Sequence, residues 1–341
     1  MIQQAIKKLT DGDSLTEEEA GAAMASIMEG TATPSQIAAF LVALRMKGET
    51  VAEITGLARA MREKAVRVEV TRRPLVDTCG TGGAVMKTFN ISTTAAFVAA
   101  AAGVVVAKHG NRAATSICGS ADVLEALGVH LTVGPEVVAR CIDTVGIGFL
   151  FARSYHPAMR HAAPVRSELG IRTVFNTLGP LTNPAGATRQ VIGVYDSSLC
   201  RPLAEALMRL GAEHVLVVHG MRGLDEISTW EETIIAEGRD GRVTTYLVGP
   251  EDLGLTPAKP EEVTGGCDAR DGARILLDIL EGKDRGPRRD IVLANAAAAL
   301  VVGGVSATLR EGVTVAADCL DSGAARRKVD ELVAFAREVQ S

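Results

Sequence analysis

Two stretches of the 341-residue chain gather residue types suited to holding an anion. The first runs Asp77-Thr78-Cys79-Gly80-Thr81-Gly82-Gly83 and leads into Thr88-Phe89-Asn90-Ile91-Ser92-Thr93-Thr94. The second opens on Lys108-His109-Gly110-Asn111-Arg112 and closes at Gly119-Ser120-Ala121-Asp122. Each sits where a strand-like run meets a helix-like run. Glycine lets the backbone come close to an anion, and free N–H groups at a helix start favour negative charge. Two such loops point to a ligand with phosphates at both ends. By itself the first would pass for a tight turn: Gly80-Thr81-Gly82-Gly83 is not G-x-G-x-x-G, and Lys87 lacks the preceding Gly of a P-loop. The second tips the balance, because a Lys, a His, an Asn and an Arg crowd around one Gly within five residues.

Two further segments carry candidate groups. His156-Pro157-Ala158-Met159-Arg160-His161-Ala162-Ala163-Pro164-Val165-Arg166 is expected to begin a helix. Arg160 or Arg166 could clamp an acid, since a guanidinium offers two parallel donors that match a carboxylate, although either also reads as an ordinary solvated charge. Asn176-Thr177-Leu178-Gly179-Pro180-Leu181-Thr182-Asn183-Pro184 is expected to follow as a rigid, turn-rich loop that makes a stiff apolar wall. Past a later strand, His219-Gly220-Met221-Arg222-Gly223-Leu224-Asp225-Glu226-Ile227-Ser228 sets two carboxylates side by side. As loop acids they would be solvated; opposite a diphosphate, Asp225 and Glu226 are candidates to place Mg²⁺, which bridges one or two carboxylates to phosphate oxygens.

The elements that must position these groups are legible as periodicities. The first 65 residues read as four short helices, with Ile2, Ala5, Ile6 and Leu9 on one face, Ala20, Ala23, Met24 and Ile27 on another, and Ile37, Phe40, Leu41 and Leu44 on a third. Thr16 with Glu19, Thr33 with Pro34 and Gln36, and Thr50 with Glu53 have capping-box spacing. From Pro74, apolar runs at 75–77, 104–107, 148–151, 190–195 and 214–219 alternate with helical periods, the signature of a mostly parallel sheet covered by helices. A hairpin is predicted from 233–237 to 243–248 around Asp240-Gly241, and helices near 268–281, 287–302 and 309–338. The expected fold is α/β: a small all-helical domain at 1–70, joined by helices near 157–182, and a large α/β domain at 71–341. Ligands should lie at the carboxyl ends of the strands, where both glycine loops fall.

Composition narrows the function classes. With 47% hydrophobic and 23% charged residues the chain reads as globular and not disordered. A net charge of -5 argues against a dedicated nucleic-acid binder. The longest apolar stretch, 95–107, is too short to cross a bilayer, and the start reads as an amphipathic helix and not a cleavable signal, so no membrane partner and a cytoplasmic location are expected. The six cysteines, 79, 118, 141, 200, 267 and 319, form no C-x-x-C pair and are expected to be reduced thiols.

The run of motifs from Gly80-Thr81-Gly82-Gly83 through Asn90-Ile91-Ser92-Thr93, Lys108-His109-Gly110-Asn111-Arg112, the 119–128 segment, His156-Pro157-Ala158-Met159-Arg160, the 176–184 segment and Leu224-Asp225-Glu226 closely resembles the anthranilate phosphoribosyltransferase family, in order and spacing and over essentially the whole chain. The resemblance implies the nucleoside phosphorylase/phosphoribosyltransferase-like fold and a homodimer joined through the helical domain. It also implies Mg²⁺-dependent transfer of the phosphoribosyl group of 5-phosphoribosyl 1-diphosphate to the amine of anthranilate, a step of tryptophan biosynthesis. Matched by position, Gly80, Gly83, Ala84, Thr88, Asn90, Ile91, Ser92, Thr93, Lys108 and Ser120 would hold the phosphoribosyl diphosphate. Gly80, His109, Asn111, His156, Arg166, Gly179 and Pro180 would bind anthranilate, and Ser92, Asp225 and Glu226 would place Mg²⁺. Lys108 and His109 are the catalytic candidates, the first for the departing charge and the second as an orienting pocket residue. After Gly83, where the family usually has an acid and then Gly, this chain has Ala84 and Val85, so a different loop path and altered metal use are expected. A paralogue acting on another aromatic amine or a heterocycle is the alternative on the same scaffold. The Lys-His-Ser-Thr-Gly-Gly loop of pyrimidine nucleoside phosphorylases does not occur.

Overall fold

The computed structural model describes residues 1–84, 86–113 and 118–339; the expectation attached to Val85 lies outside the described residues. Four helices open the chain, α1 (Ile2–Thr10), α2 (Glu17–Met28), α3 (Pro34–Lys47) and α4 (Val51–Glu63). Each of the three predicted capping boxes is formed: the Thr16, Thr33 and Thr50 side chains accept from the N–H groups of Glu19, Gln36 and Glu53, whose own side chains answer at the cap. Glu53 also tethers the bundle, its carboxylate accepting from Leu15 N at 2.9 Å and Lys47 Nζ at 2.9 Å while itself fully buried. A buried carboxylate is stable only when its lone pairs are filled in this way.

Seven strands form one sheet: β1 (Leu75–Asp77), β2 (Val105–Gly110), β3 (Ile147–Phe151), β4 (Arg189–Gly193), β5 (His214–Gly220), β6 (Thr233–Arg239) and β7 (Arg242–Val248), in the order β3-β2-β1-β4-β5-β6-β7. The first five are parallel; β6 and β7 are added antiparallel as the predicted hairpin, turning at Asp240 and Gly241. The chain therefore winds outward from β1 through β2 to β3, then restarts beside β1 with β4. That reversal leaves a crevice outside the carboxyl ends of β1 and β4, where the crossovers leave in opposite directions.

Strand alternation divides the core. Val191, Leu216 and Val218 face a layer built from α5 (Ile91–Ala101) and the helix Pro287–Gly303. Ile192, Val194, Val215 and Val217 face the helix Cys200–Arg209, and that second core runs on without interruption into the opening bundle through Ala162, Val165, Phe175, Leu178 and Leu181.

Three predicted elements differ. The helix expected from His156 is a single turn at Ala152–Tyr155, a 3-10 turn at Pro157–His161 and a helix at Ala163–Leu169, because Pro157 and Pro164 cannot donate to a continuous ladder. The 176–184 wall is not an open loop but a short helix, Phe175–Leu178, followed by a 3-10 turn, Gly179–Thr182. The span 309–338 is two helices, Leu309–Asp321 and Ala324–Glu338, broken where Gly323 takes φ 69°. No helix among the described residues is long and apolar enough to cross a membrane.

Candidate active site

The first loop leaves β1 at the crevice. Gly80 lies so close to the end of β4 that a side chain there would sit 3.0 Å from the Gly193 carbonyl, which accepts the Thr81 N–H at 2.8 Å. Gly82 and Gly83 follow with φ of 63° and 85°, a region open to glycine at no steric cost. The loop ends at Asn90, the N-cap of α5. Unlike the caps of α2, α3 and α4, Asn90 makes no side-chain cap; its amide turns to the Cys118 carbonyl at 3.3 Å. At the start of α5 the Ile91 N–H donates to the Phe89 carbonyl at 2.8 Å and the Ser92 N–H is met by a side chain from elsewhere in the fold and not by the N-cap. Thr88 forms an isolated bridge with Thr264, bringing a distant segment against the loop.

Lys108 and His109 stand near the end of β2, both buried. Lys108 Nζ donates to the Thr78 carbonyl at 2.7 Å and to Thr78 Oγ1 at 3.0 Å. Burial pulls its pKa down, opposed by Cys79, Asp77 and Glu226. Asp77 is the bracket beneath them: its oxygens accept from His109 N at 3.0 Å and Asn183 Nδ2 at 2.7 Å, and Asn183 also reaches the Ala107 carbonyl at 2.9 Å. Burial pushes the Asp77 carboxyl up to about 6 despite Lys108 and these donors. Asp77 and Asn183 fall inside the sequence motifs with no role predicted for them; an acid ending a fully buried strand is the signal that marks Asp77.

Asp225 and Glu226 lie beyond β5 and are held against α5 and β4. Glu226 Oε1 accepts the Ser92 N–H at 3.2 Å, so two of the three proposed metal residues touch. A Cβ on Gly193 would fall 1.7 Å from the Asp225 carbonyl, so only glycine permits this approach. The next residue is fixed by buried Asn295, whose side chain exchanges hydrogen bonds of 2.9 and 3.0 Å with the backbone of Ile227. Burial raises both carboxyls, and the charge of Asp225 raises Glu226 further. Desolvated oxygen donors grouped in this way suit a hard divalent cation, so the residues present fit Mg²⁺. Asp77, Cys79 and His109 also bring ligand atoms within 4.8 Å of one another, but both Asp77 oxygens are engaged and the Lys108 charge acts on Asp77 and Cys79.

On the other side of Lys108 the surroundings become apolar and neutral. The rings of His109 and His156 lie 5.2 Å apart at 50°. Burial depresses His109 to about 3 and His156 to about 4, helped for His109 by the neighbouring His156. Both nitrogens of the His109 ring and Nε2 of His156 lack hydrogen-bond partners; the Gly179 backbone lies near His109 without normal hydrogen-bond geometry. Pro180 is buried, its carbonyl accepting from Gln190, while the space a Gly179 side chain would fill is open. Arg166 is half-buried with its guanidinium 5.1 Å above the Phe175 ring, whereas Arg160 is exposed. Burial lowers the Arg166 pKa.

The second loop divides its polar residues differently from the sequence expectation. Arg112 pairs with Asp122 at 2.9 Å and with Glu125, and so holds the loop shape. Asn111 is exposed, its Oδ1 accepting the Arg112 N–H at 2.8 Å. Ser120 opens the helix α6 (Ser120–Ala126) with Oγ 3.4 Å from the Asn111 carbonyl. Ala84 presents no carboxylate to the first loop.

Residues 3–65 match the glycosyl transferase family helical bundle domain and residues 72–326 its a/b domain. A protein of Symbiobacterium thermophilum named anthranilate phosphoribosyltransferase is 58% identical over 336 residues, covering 98% of each chain. The crystal structure of the Thermus thermophilus anthranilate phosphoribosyltransferase matches with a TM-score of 0.92 at 49% identity over 98% of this chain and 99% of that one. The Saccharomyces cerevisiae enzyme in complex with PRPP and Mg matches with a TM-score of 0.88 at 28% identity over 99% and 98%, and the same yeast protein is also known in complex with 4-fluoroanthranilate.

Proposed function

The chain belongs to the anthranilate phosphoribosyltransferases, which join the phosphoribosyl group of 5-phosphoribosyl 1-diphosphate to the amine of anthranilate in tryptophan biosynthesis, and from that premise we propose how its residues do so. The observation that carries the assignment is the asymmetry about Lys108: a Ser92–Glu226 contact beside Asp225 on one side, two neutral imidazoles on the other.

The phosphoribosyl diphosphate is received by the first loop and the start of α5, at Gly80, Gly83, Ala84, Thr88, Asn90, Ile91, Ser92 and Thr93, with Lys108 and Ser120. Ser92, Asp225 and Glu226 would hold Mg²⁺, which supplies Lewis-acid stabilisation of the leaving diphosphate. Lys108, shielded from water, offers a fixed positive charge to the same developing anion. Anthranilate lies beside Gly80, His109, Asn111, His156, Gly179 and Pro180, its carboxylate paired with Arg166. The half-buried Arg166 suits that role better than exposed Arg160, because a desolvated guanidinium gains more from a carboxylate.

An aromatic amine is neutral near pH 7 with its lone pair free. As the ribose C1–O bond breaks toward the diphosphate, the amine forms the new C1–N bond and then releases a proton. No strong base is needed, and the depressed imidazoles of His109 and His156 serve as neutral orienting walls. Rate enhancement rests on positioning and electrostatics. A cytoplasmic homodimer joined through the opening helices completes the proposal.

The test is loss of anthranilate fluorescence on mixing anthranilate, phosphoribosyl diphosphate and Mg²⁺ with the protein, repeated with a chelator. Loss that depends on all three is expected. Unchanged fluorescence with folded protein would overturn the assignment.

A further inference from the structure

Arg172 lies in the turn between the helix Ala163–Leu169, which carries Arg166, and the helix Phe175–Leu178, which leads to Gly179. From there it reaches the first glycine loop, its Nη2 donating to the Gly83 carbonyl at 2.6 Å. The guanidinium stacks 4.2 Å above the centroid of the Tyr195 ring. Tyr195 stands two residues beyond Gly193, whose carbonyl holds Thr81 at the other end of the same loop. The hydrogen bond of Arg172 is thus with a main-chain carbonyl, while its charge also acts on the Asp225 carboxyl, whose pKa burial raises and Arg172 lowers. A side chain at position 83 would meet Arg172 at 3.0 Å, so glycine there and arginine here fit one another.

We propose that Arg172 is a positioning residue that latches the glycine loop in the shape that receives the diphosphate, and that it joins this loop to the segment carrying the acceptor's clamp. The proposal rests on the reading of that loop as the phosphoribosyl diphosphate site. Gly82 and Gly83, both at positive φ, belong to the residue type with the widest backbone freedom, so the loop keeps one shape only where something ties it. The ties are the Thr81 N–H and hydroxyl to Gly193 at one end and Arg172 to Gly83 at the other. A charged donor makes the stronger kind of hydrogen bond, and stacking on Tyr195 fixes the plane of the fork. Without the latch the loop spends less time in the receptive shape, and apparent affinity falls by the same fraction. Arg172 and Tyr195 act on the shape of the donor's loop, so the donor's binding constant should move and the chemical step should not.

Calorimetric titration of the full-length protein with phosphoribosyl diphosphate and Mg²⁺, alongside steady-state kinetics, tests the latch. Arg172→Gln should raise Kd and KM for phosphoribosyl diphosphate by about tenfold while kcat and the anthranilate KM stay within about twofold. Tyr195→Leu should raise the same constant, and the double variant should bind no more weakly than the weaker single one, because both changes undo one latch. An unchanged Kd in Arg172→Gln, an equal rise in both KM values, or additive effects in the double variant would overturn the proposal. Wild-type protein that binds no phosphoribosyl diphosphate would sink the reading of the loop itself; normal wild-type binding with an indifferent Arg172→Gln sinks the latch alone.

Discussion

Individual side chains set how tightly each half of the site grips its ligand. Arg166→Ala removes a charge-assisted pair of about 1.5–3 kcal/mol, so kcat/KM for anthranilate should fall roughly ten- to hundredfold with the donor KM little changed. An unaltered anthranilate dependence would shift the clamp to another group. Glu226 carries a pH signature. Its pKa stands above the ordinary 4.5, chiefly through burial and then through Asp225, so the folded protein holds that proton more tightly than the unfolded chain. Stability of the metal-free protein should therefore decline as pH rises from about 4.5 through the raised value. Glu226→Gln should flatten this decline and gain about 1 kcal/mol in denaturant unfolding at alkaline pH, while raising the Mg²⁺ requirement. A variant less stable than wild type there would contradict the sign. Ala84→Asp should change the Mg²⁺ activation profile by restoring an acid beside Gly83, and superimposable profiles for the two proteins would count against any metal role of that position.

At the level of elements, the site depends on how closely pieces of backbone approach. Gly193 ends β4 with the Asp225 carbonyl where its Cβ would be. Gly193→Ala should push the Asp225–Glu226 segment off β4, costing roughly 1–3 kcal/mol in unfolding stability and raising the Mg²⁺ requirement more than the anthranilate KM. Equal stability and an unmoved metal profile would show that the segment adapts freely. The sequence pattern was strongest where the physics is local: the capping boxes at Thr16, Thr33 and Thr50 need only residues three apart, and all three form. It was weakest at 156–184, where four short helical elements, three of them with a proline in their first two positions, take their shape from packing against the helical bundle and the sheet. Gly193, Arg172 and Asn295 were unmarked for the same reason: each acts on a partner about 30 to 90 residues away.

At the scale of the whole molecule, the two apolar cores decide what moves with what. The bundle shares its core with the 162–181 segment and one face of the sheet, so the acceptor wall is built partly on the helices, and Arg172 ties the donor loop to the same segment. Met46, 82% exposed near the end of α3, leaves a large apolar side chain uncovered on the bundle. A single exposed side chain defines no interface, and the homodimer proposed through these helices is tested by mass. Sedimentation should give twice the chain mass of 35.6 kDa, and a species of single-chain mass at micromolar concentration would reject the homodimer.

The amino-acid order by itself determined the α/β class, the helical opening segment and the two glycine loops with their Lys, His and Ser, because caps, periodicities and turn residues act over a few positions. It also offered Asp225 and Glu226 as a pair but not their partner. Only the tertiary structure decided that β4 lies beside β1, and with it that Gly80 meets Gly193, Asp225 packs on Gly193 and Glu226 reaches Ser92. The pairing of strands remote in sequence depends on the burial of whole faces and on crossover geometry, and no local spacing encodes those.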